Sequence, residues 1–192
     1  MGKELELKFC ATKALLEQLQ SAVEGAQTVY QMQTSYYDTP EGELSERRCT
    51  LRCRIENGYP ICTFKTPVND TERGEFDVSG VTIEAAIAPL ARLSGVQELT
   101  ELGKRIVCVC GARFQRIAID VTSDGFTAEL ALDQGVLLGG GREIPLCEAE
   151  LEYKSGNEEK FLEYATAFTC RYGLEIEKRS KFVRAYALAK GE

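Results

Sequence analysis

A charged-and-apolar alternation with a period of two recurs along most of this chain and limits what it can fold into. It starts at Glu4-Leu5-Glu6-Leu7-Lys8. On an extended strand successive side chains point to opposite faces, so Glu4, Glu6 and Lys8 share one face and Leu5, Leu7 and Phe9 the other. The pattern returns at 48–56, where Thr50, Arg52, Arg54 and Glu56 alternate with Cys49, Leu51, Cys53 and Ile55. At 59–66 Thr63 and Lys65 oppose Cys62 and Phe64, and at 73–80 Arg73, Glu75 and Asp77 oppose Phe76 and Val78. At 126–133 Glu129, Ala131 and Asp133 alternate with Ala128, Leu130 and Leu132. At 144–154 Glu148, Glu150, Glu152 and Lys154 alternate with Cys147, Ala149, Leu151 and Tyr153. A single strand of this kind is accounted for by a solvated face. Repeated strand after strand, with the other face apolar and in need of cover, the pattern turns the charged face inward.

Two further segments, 28–37 and 106–121, complete eight strands, the second less regular and carrying Arg113, Arg116 and Asp120. Asn57-Gly58 is a hairpin turn signal, and Tyr37-Asp38-Thr39-Pro40-Glu41-Gly42 and Ser123-Asp124-Gly125 are turns by composition. Gly139-Gly140-Gly141 reads as a flexible hairpin connector. Helical periodicity marks 12–26 behind a Thr12 cap, two short helices within 82–105, 157–172 between Asn157 and Gly173, and 180–190. These elements predict an α+β fold: one domain over 1–192, a closed eight-stranded antiparallel β-barrel lined by charge, with helices flanking its apolar outside.

A charged interior is costly unless water, metal or an anion occupies it. Acids on some strands and arginines on others suit a polyphosphate with a divalent cation: guanidinium forks and ammonium groups bind phosphate oxygens, and carboxylates hold the metal. The chain has no histidine, which removes Ser-His and Cys-His nucleophiles and His-containing zinc sites together. A carboxylate-only site selects hard cations, Mg²⁺ or Mn²⁺. No Gly-x-x-x-x-Gly-Lys-Ser/Thr phosphate loop occurs. The eight cysteines, without any C-x-x-C pair, read as small buried hydrophobes in a reducing compartment. A net charge of -7 argues against nucleic-acid and membrane partners, and the lack of a long apolar run or leader-like segment points to the cytoplasm.

The ordered motifs resemble one family. Glu4-x-Glu6-x-Lys8, Tyr36-Tyr37-Asp38-Thr39-Pro40, Leu51-Arg52-x-Arg54, Thr63-Phe64-Lys65, Arg73-x-Glu75, Arg116, Ala131-Leu132-Asp133-Gln134-Gly135, Cys147-Glu148-x-Glu150-x-Glu152 and Ser180-Lys181-x-x-Arg184 follow the CYTH superfamily, the triphosphate tunnel metalloenzymes. The set is most similar to the bacterial inorganic triphosphatases, many of which carry a C-terminal CHAD domain, so the resemblance also implies such a domain as a partner in a longer parent protein. The resemblance implies hydrolysis of inorganic triphosphate to pyrophosphate and phosphate with Mg²⁺ or Mn²⁺. It implies metal on Glu4, Glu6, Glu150 and Glu152, with Glu129, Asp133 and Glu148 in support or as further ligands. It implies phosphate on Lys8, Arg52, Arg54, Lys65, Arg116, Lys181 and Arg184. For Arg73, Glu75 and Asp77, phosphate contact and an ion-pair network inside the tunnel stand side by side. Tyr36 and Asp38 read as turn and packing residues. Thiamine triphosphatase, class IV adenylate cyclase and a non-catalytic polyphosphate binder are the alternatives, and the absence of tryptophan favours inorganic triphosphate.

Overall fold

The computed structural model describes residues 5–68, 73–123 and 125–192. Nine antiparallel strands form one sheet, β1 (Glu6–Cys10), β2 (Gln27–Asp38), β3 (Thr50–Glu56), β4 (Tyr59–Pro67), β5 (Arg73–Ser79), β6 (Val107–Ser123), β7 (Phe126–Gly139), β8 (Arg142–Gly156) and β9 (Glu175–Ile176). Their order is β5-β4-β3-β2-β6-β7-β8-β1-β9. The expectation of eight strands closed into a barrel is corrected here. The two-residue β9 is a ninth strand, and among the described residues no ladder joins β5 to β1 or β9. The sheet nevertheless curls enough that β1, β3, β4, β5 and β8 all line one cavity of about 570 Å³.

The helices are α1 (Lys13–Ala22), α2 (Glu43–Glu46), α3 (Ile83–Ser94), α4 (Leu99–Leu102), α5 (Glu158–Tyr172) and α6 (Lys181–Lys190). Thr12, Asn157 and Ser180 cap α1, α5 and α6, each side chain accepting from a backbone N–H three residues on. Two of the three apolar clusters lie on the convex face. Leu16, Leu19, Phe161, Ala165 and Phe168 of α1 and α5 cover Phe9, Ile119, Leu130, Leu132 and Leu151. Ile83, Ile87 and Leu90 of α3 cover Leu51, Cys62 and Phe64.

The third cluster departs from a barrel with helices only outside. Ala185 and Phe182 of α6 pack on Met32, Tyr36, Ala112, Phe114, Leu137 and Leu146. By strand parity these belong to the same face as Arg116 and Asp133, so α6 lies on the concave side. The charged lining thus covers only part of the inner face; where β7 runs past Asp133 to Leu137 and Gly139, the lining turns apolar and is closed by α6. Gly139 permits this close approach, because a Cβ there would stand 2.4 Å from the Ala185 carbonyl oxygen and 2.7 Å from the Ala189 nitrogen.

The Asn57-Gly58 signal is realised: φ is 48° and 88° at the two positions, the left-handed pair that a two-residue hairpin turn needs. The turn read at Tyr37–Gly42 leads directly into the short helix α2, which begins at Glu43. Asp38, 1% exposed, organises it by accepting from the Thr39 and Leu44 amides at 2.8 Å, the Ser45 amide at 3.0 Å and the Ser45 hydroxyl at 2.5 Å. Asp38→Ala leaves those donors unpaired and is expected to cost about 2–3 kcal/mol, read by urea unfolding. An unchanged midpoint would show that the loop does not depend on this carboxylate.

Candidate active site

The register sorts the inward charges onto two walls. On one, Glu6 of β1 stands opposite Glu152 of β8 and Lys8 opposite Glu150, while Glu129 of β7 flanks Glu152 from the other side. The first and last long strands are therefore neighbours, which puts the N-terminal acids beside the last acid run. Lys8 Nζ lies 3.0 Å from Glu6 and 3.8 Å from Glu150. Burial alone would lower the Lys8 ammonium, but Glu6 and Glu150 hold it above its ordinary range. Lys154 bridges Glu152 at 2.7 Å and Glu129 at 3.8 Å.

The opposite wall is cationic. Arg52 and Arg54 on β3 and Lys65 on β4 project into the cavity with Thr63 between them. Glu75 on β5 meets Arg52 at 3.3 Å and Lys65 at 2.9 Å, Glu56 meets Arg54 at 3.1 Å, and Thr63 donates to Asp77 at 2.6 Å. Glu75 thus ion-pairs with two of the cations, while Asp77 accepts from the neutral Thr63 beside them. Burial depresses the Arg54 guanidinium, and Arg52 and Arg116 add to this. The buried Nε atoms of Arg52, Arg54 and Arg184 have no hydrogen-bond partner. A buried donor of that kind is costly unless an acceptor arrives.

Between the walls is a buried charge network. Asp133 and Glu148 are fully buried and Glu150 nearly so, and the three offer carboxylate oxygens all within 4.8 Å of one another. That is the spacing of a cation site, and a protein ammonium already stands in it. Lys181 Nζ donates to Asp133 at 2.8 Å, to Glu150 at 2.7 Å and to Glu148. Arg116 clamps Asp133 through Nε and Nη2 at 2.7 Å each and reaches Glu150 at 2.5 Å, and Arg184 bonds Glu148. Burial opposes the charge on Lys181, yet Asp133, Glu150 and Glu148 hold it well above its usual range. Burial likewise opposes ionisation of Glu150, which Lys181, Arg116 and Lys8 hold well below the carboxylate range. Glu148 is pushed up to about 7 by burial, partly offset by Lys181.

Of the residues singled out by sequence, Glu6, Lys8, Arg52, Arg54, Lys65, Arg116, Glu150, Glu152 and Lys181 line the cavity. Asp133, Glu148 and Arg184 sit behind this lining as part of the network. Glu4 and the Arg73 side chain lie outside the described residues. Three lining aromatics fall outside that site set: Phe114; Tyr36, taken for packing; and Phe182, whose ring sits 5.2 Å from that of Tyr36. The parity of Tyr36 with Arg52, its register partner on β3, is the signal that places it on the inner face.

The chain is 27% identical over 159 residues to an inorganic triphosphatase of Haemophilus influenzae, covering 80% of this chain and 45% of that protein. It thus spans less than half the length of that relative. Among solved structures it superposes on an adenylyl cyclase candidate from Hippeastrum described as having a dominant triphosphatase activity, with TM-score 0.68, 17% identity and 98% and 96% of the two chains covered. It also superposes on a Pyrococcus horikoshii protein with TM-score 0.64, 21% identity and 98% and 99% covered. Among the described residues no helix is long and apolar enough to cross a membrane. The sequence profile of the CYTH domain matches residues 2–186, nearly the whole chain, and the protein belongs to that family.

Proposed function

We propose that the cavity binds inorganic triphosphate with a divalent cation, Mg²⁺ or Mn²⁺, and hydrolyses it to pyrophosphate and phosphate. The observation that carries this reading is the buried guanidinium Nε atoms of Arg52 and Arg54, which belong to the cavity lining and lack acceptors. Phosphate oxygens are the acceptors such donors fit, by charge-assisted hydrogen bonds. The matching relative named as an inorganic triphosphatase supports the same substrate.

The donor set fits a hard cation. Glu6 and Glu152, directly opposed across β1 and β8, offer carboxylate oxygens at the cavity wall, and Glu150 adds a third next to Lys8. Asp133 and Glu148, expected as further ligands, are already neutralised by Lys181, Arg116 and Arg184, so their role is to fix Lys181 and Arg116. A divalent cation held by Glu6, Glu150, Glu152 and Glu4 would offset phosphate charge and lower the pKa of a bound water. Phosphoryl transfer asks the protein mainly for positioning and charge neutralisation, so no protein nucleophile is required. Arg52, Arg54 and Lys65 would hold the phosphate chain straight across the cavity from the acids, with Glu75 fixing the rotamers of Arg52 and Lys65. Lys8 would contact phosphate from the acidic side. The walls thus separate substrate grip from cation grip.

The test is phosphate release from tripolyphosphate, ATP and thiamine triphosphate in Mg²⁺ or Mn²⁺, with and without chelator. Turnover of tripolyphosphate lost on chelation supports the reading; tight binding without turnover means a polyphosphate binder, and cyclic AMP with pyrophosphate from ATP means a cyclase. Arg54→Ala is expected to raise KM roughly tenfold to a hundredfold with a smaller change in kcat, since a charge-assisted contact is worth about 1.5–3 kcal/mol. A wild-type KM in that variant would remove Arg54 from the substrate wall.

A further inference from the structure

The hairpin that carries Arg52, Arg54 and Lys65 into the cavity has a second feature on its other face. Cys53 of β3 and Cys62 of β4 are register partners. Of the eight cysteines, all within described residues, no other two face each other across a ladder. The turn fixes what kind of pair this is. In a two-residue hairpin the flanking residues, Glu56 and Tyr59, exchange both backbone hydrogen bonds, and pairs alternate from there. Ile55 and Pro60 are then a non-hydrogen-bonded pair, as a proline without an N–H requires. Arg54 and Ile61 are hydrogen-bonded, and Cys53 and Cys62 are again not. Non-hydrogen-bonded partners have Cα atoms about 4.5 Å apart, within the separation of about 4.4–6.8 Å that a disulfide spans. Both thiols are free.

Their surroundings differ. Cys62 is fully buried under α3, and its thiol donates to the Val81 carbonyl at 3.6 Å. Burial pushes that thiol up to about 12, so it is inert by itself. Cys53 is partly exposed at the margin of the same apolar cluster.

We propose that Cys53 and Cys62 are an oxidisable dithiol, a modification site that staples the cation-bearing hairpin from behind. Cys53, as thiolate, attacks a small disulfide such as glutathione disulfide, forming a mixed disulfide and releasing one glutathione thiolate. Cys62 gives up its proton and attacks the Cys53 sulfur, forming the Cys53–Cys62 bond and expelling the second glutathione. Two protein thiols and one disulfide thus become one protein disulfide and two glutathione thiols. The staple leaves the turn and the ladder register in place, because non-hydrogen-bonded partners are bridged without breaking a backbone hydrogen bond. This chemistry is independent of the proposed hydrolysis.

The experiment is equilibration of the full chain with glutathione disulfide, followed by non-reducing proteolysis and mass spectrometry. The expected product is a linked peptide pair containing Cys53 and Cys62, lighter by two hydrogens, that disappears in Cys53→Ser and in Cys62→Ser. Cys62→Ser is further expected to accumulate glutathione on Cys53, the trapped first step, which wild type does not retain. Thermal melts of the reduced variants check that each is folded; if one is not, the wild-type linkage decides alone. Glutathione retained on Cys53 in wild type overturns the proposal. So does a linkage confined to the exposed Cys10, Cys108 and Cys170, or an unmodified Cys53 where Cys108 is already glutathionylated.

Discussion

Lys181→Met is expected to destabilise the fold by about 3–5 kcal/mol, the cost of removing one partner from a buried ion network and leaving its counter-charges. For a chain of this size that corresponds to a fall in Tm of roughly 10 °C. Lys181 neutralises Asp133, Glu148 and Glu150, of which the first two have no solvent exposure at all. Methionine fills the same volume without a charge, so the loss is electrostatic and not a cavity. Arg116 and Arg184 remain as neighbours but cannot occupy the point where all three carboxylates converge. The expected signature is specific. Mg²⁺ at millimolar concentration should leave that loss of Tm in place, because the methionine side chain fills the position that the ammonium held among the three acids. The measurement is a thermal melt of both proteins with Mg²⁺ and with chelator. Equal melting temperatures for variant and wild type would mean that the acid trio does not depend on Lys181.

That network also shows where sequence reading stops. Alternation is a local property, and it located the lining charges Glu6, Lys8, Arg52, Arg54, Lys65, Glu75, Asp77, Glu150 and Glu152, because each side chain's face follows from its own position in the strand. The partner across the ladder is not local. Nothing near Glu6 announces that Glu152 lies opposite, since the two are brought together by β1 entering beside β8 after the whole chain has been laid down. The same gap left open whether Asp133 and Glu148 support the site or ligate metal. Both have the residue type and parity of metal ligands, and only the seating of α6 on the concave face shows that Lys181 reaches them first. The alternation itself gave no warning of α6 there, because beyond Asp133 it passes through Gly135 to Leu137 and reads as the end of a strand. Strand β7 continues to Gly139, and those apolar inward positions are what the helix covers. Closure of the sheet, which is not seen among the described residues, was illegible for a related reason: a count of strands specifies neither tilt nor the pairing of the edges.

Glu6→Gln is expected to lower metal-dependent turnover of tripolyphosphate by roughly a hundredfold to a thousandfold while leaving stability nearly unchanged. Loss of a cation ligand removes a few kcal/mol of charge stabilisation, and about 1.4 kcal/mol corresponds to a factor of ten in rate. The structural cost is small because the Glu6 side chain is about a quarter exposed, at 23%, and its ion pair is with Lys8, which keeps Glu150 as a second neighbour. Glu148→Gln is the contrasting variant. Its carboxylate is fully buried and bonded to Lys181 and Arg184, so the change should fall on Tm first, with any loss of rate following from displacement of Lys181. A divalent-cation titration of the rate separates the two. Glu6→Gln should need far more metal to reach half-maximal rate, whereas folded Glu148→Gln should titrate like wild type. If Glu6→Gln titrated normally and Glu148→Gln did not, the cation would belong to the buried trio, and Lys181 would have to leave it during turnover.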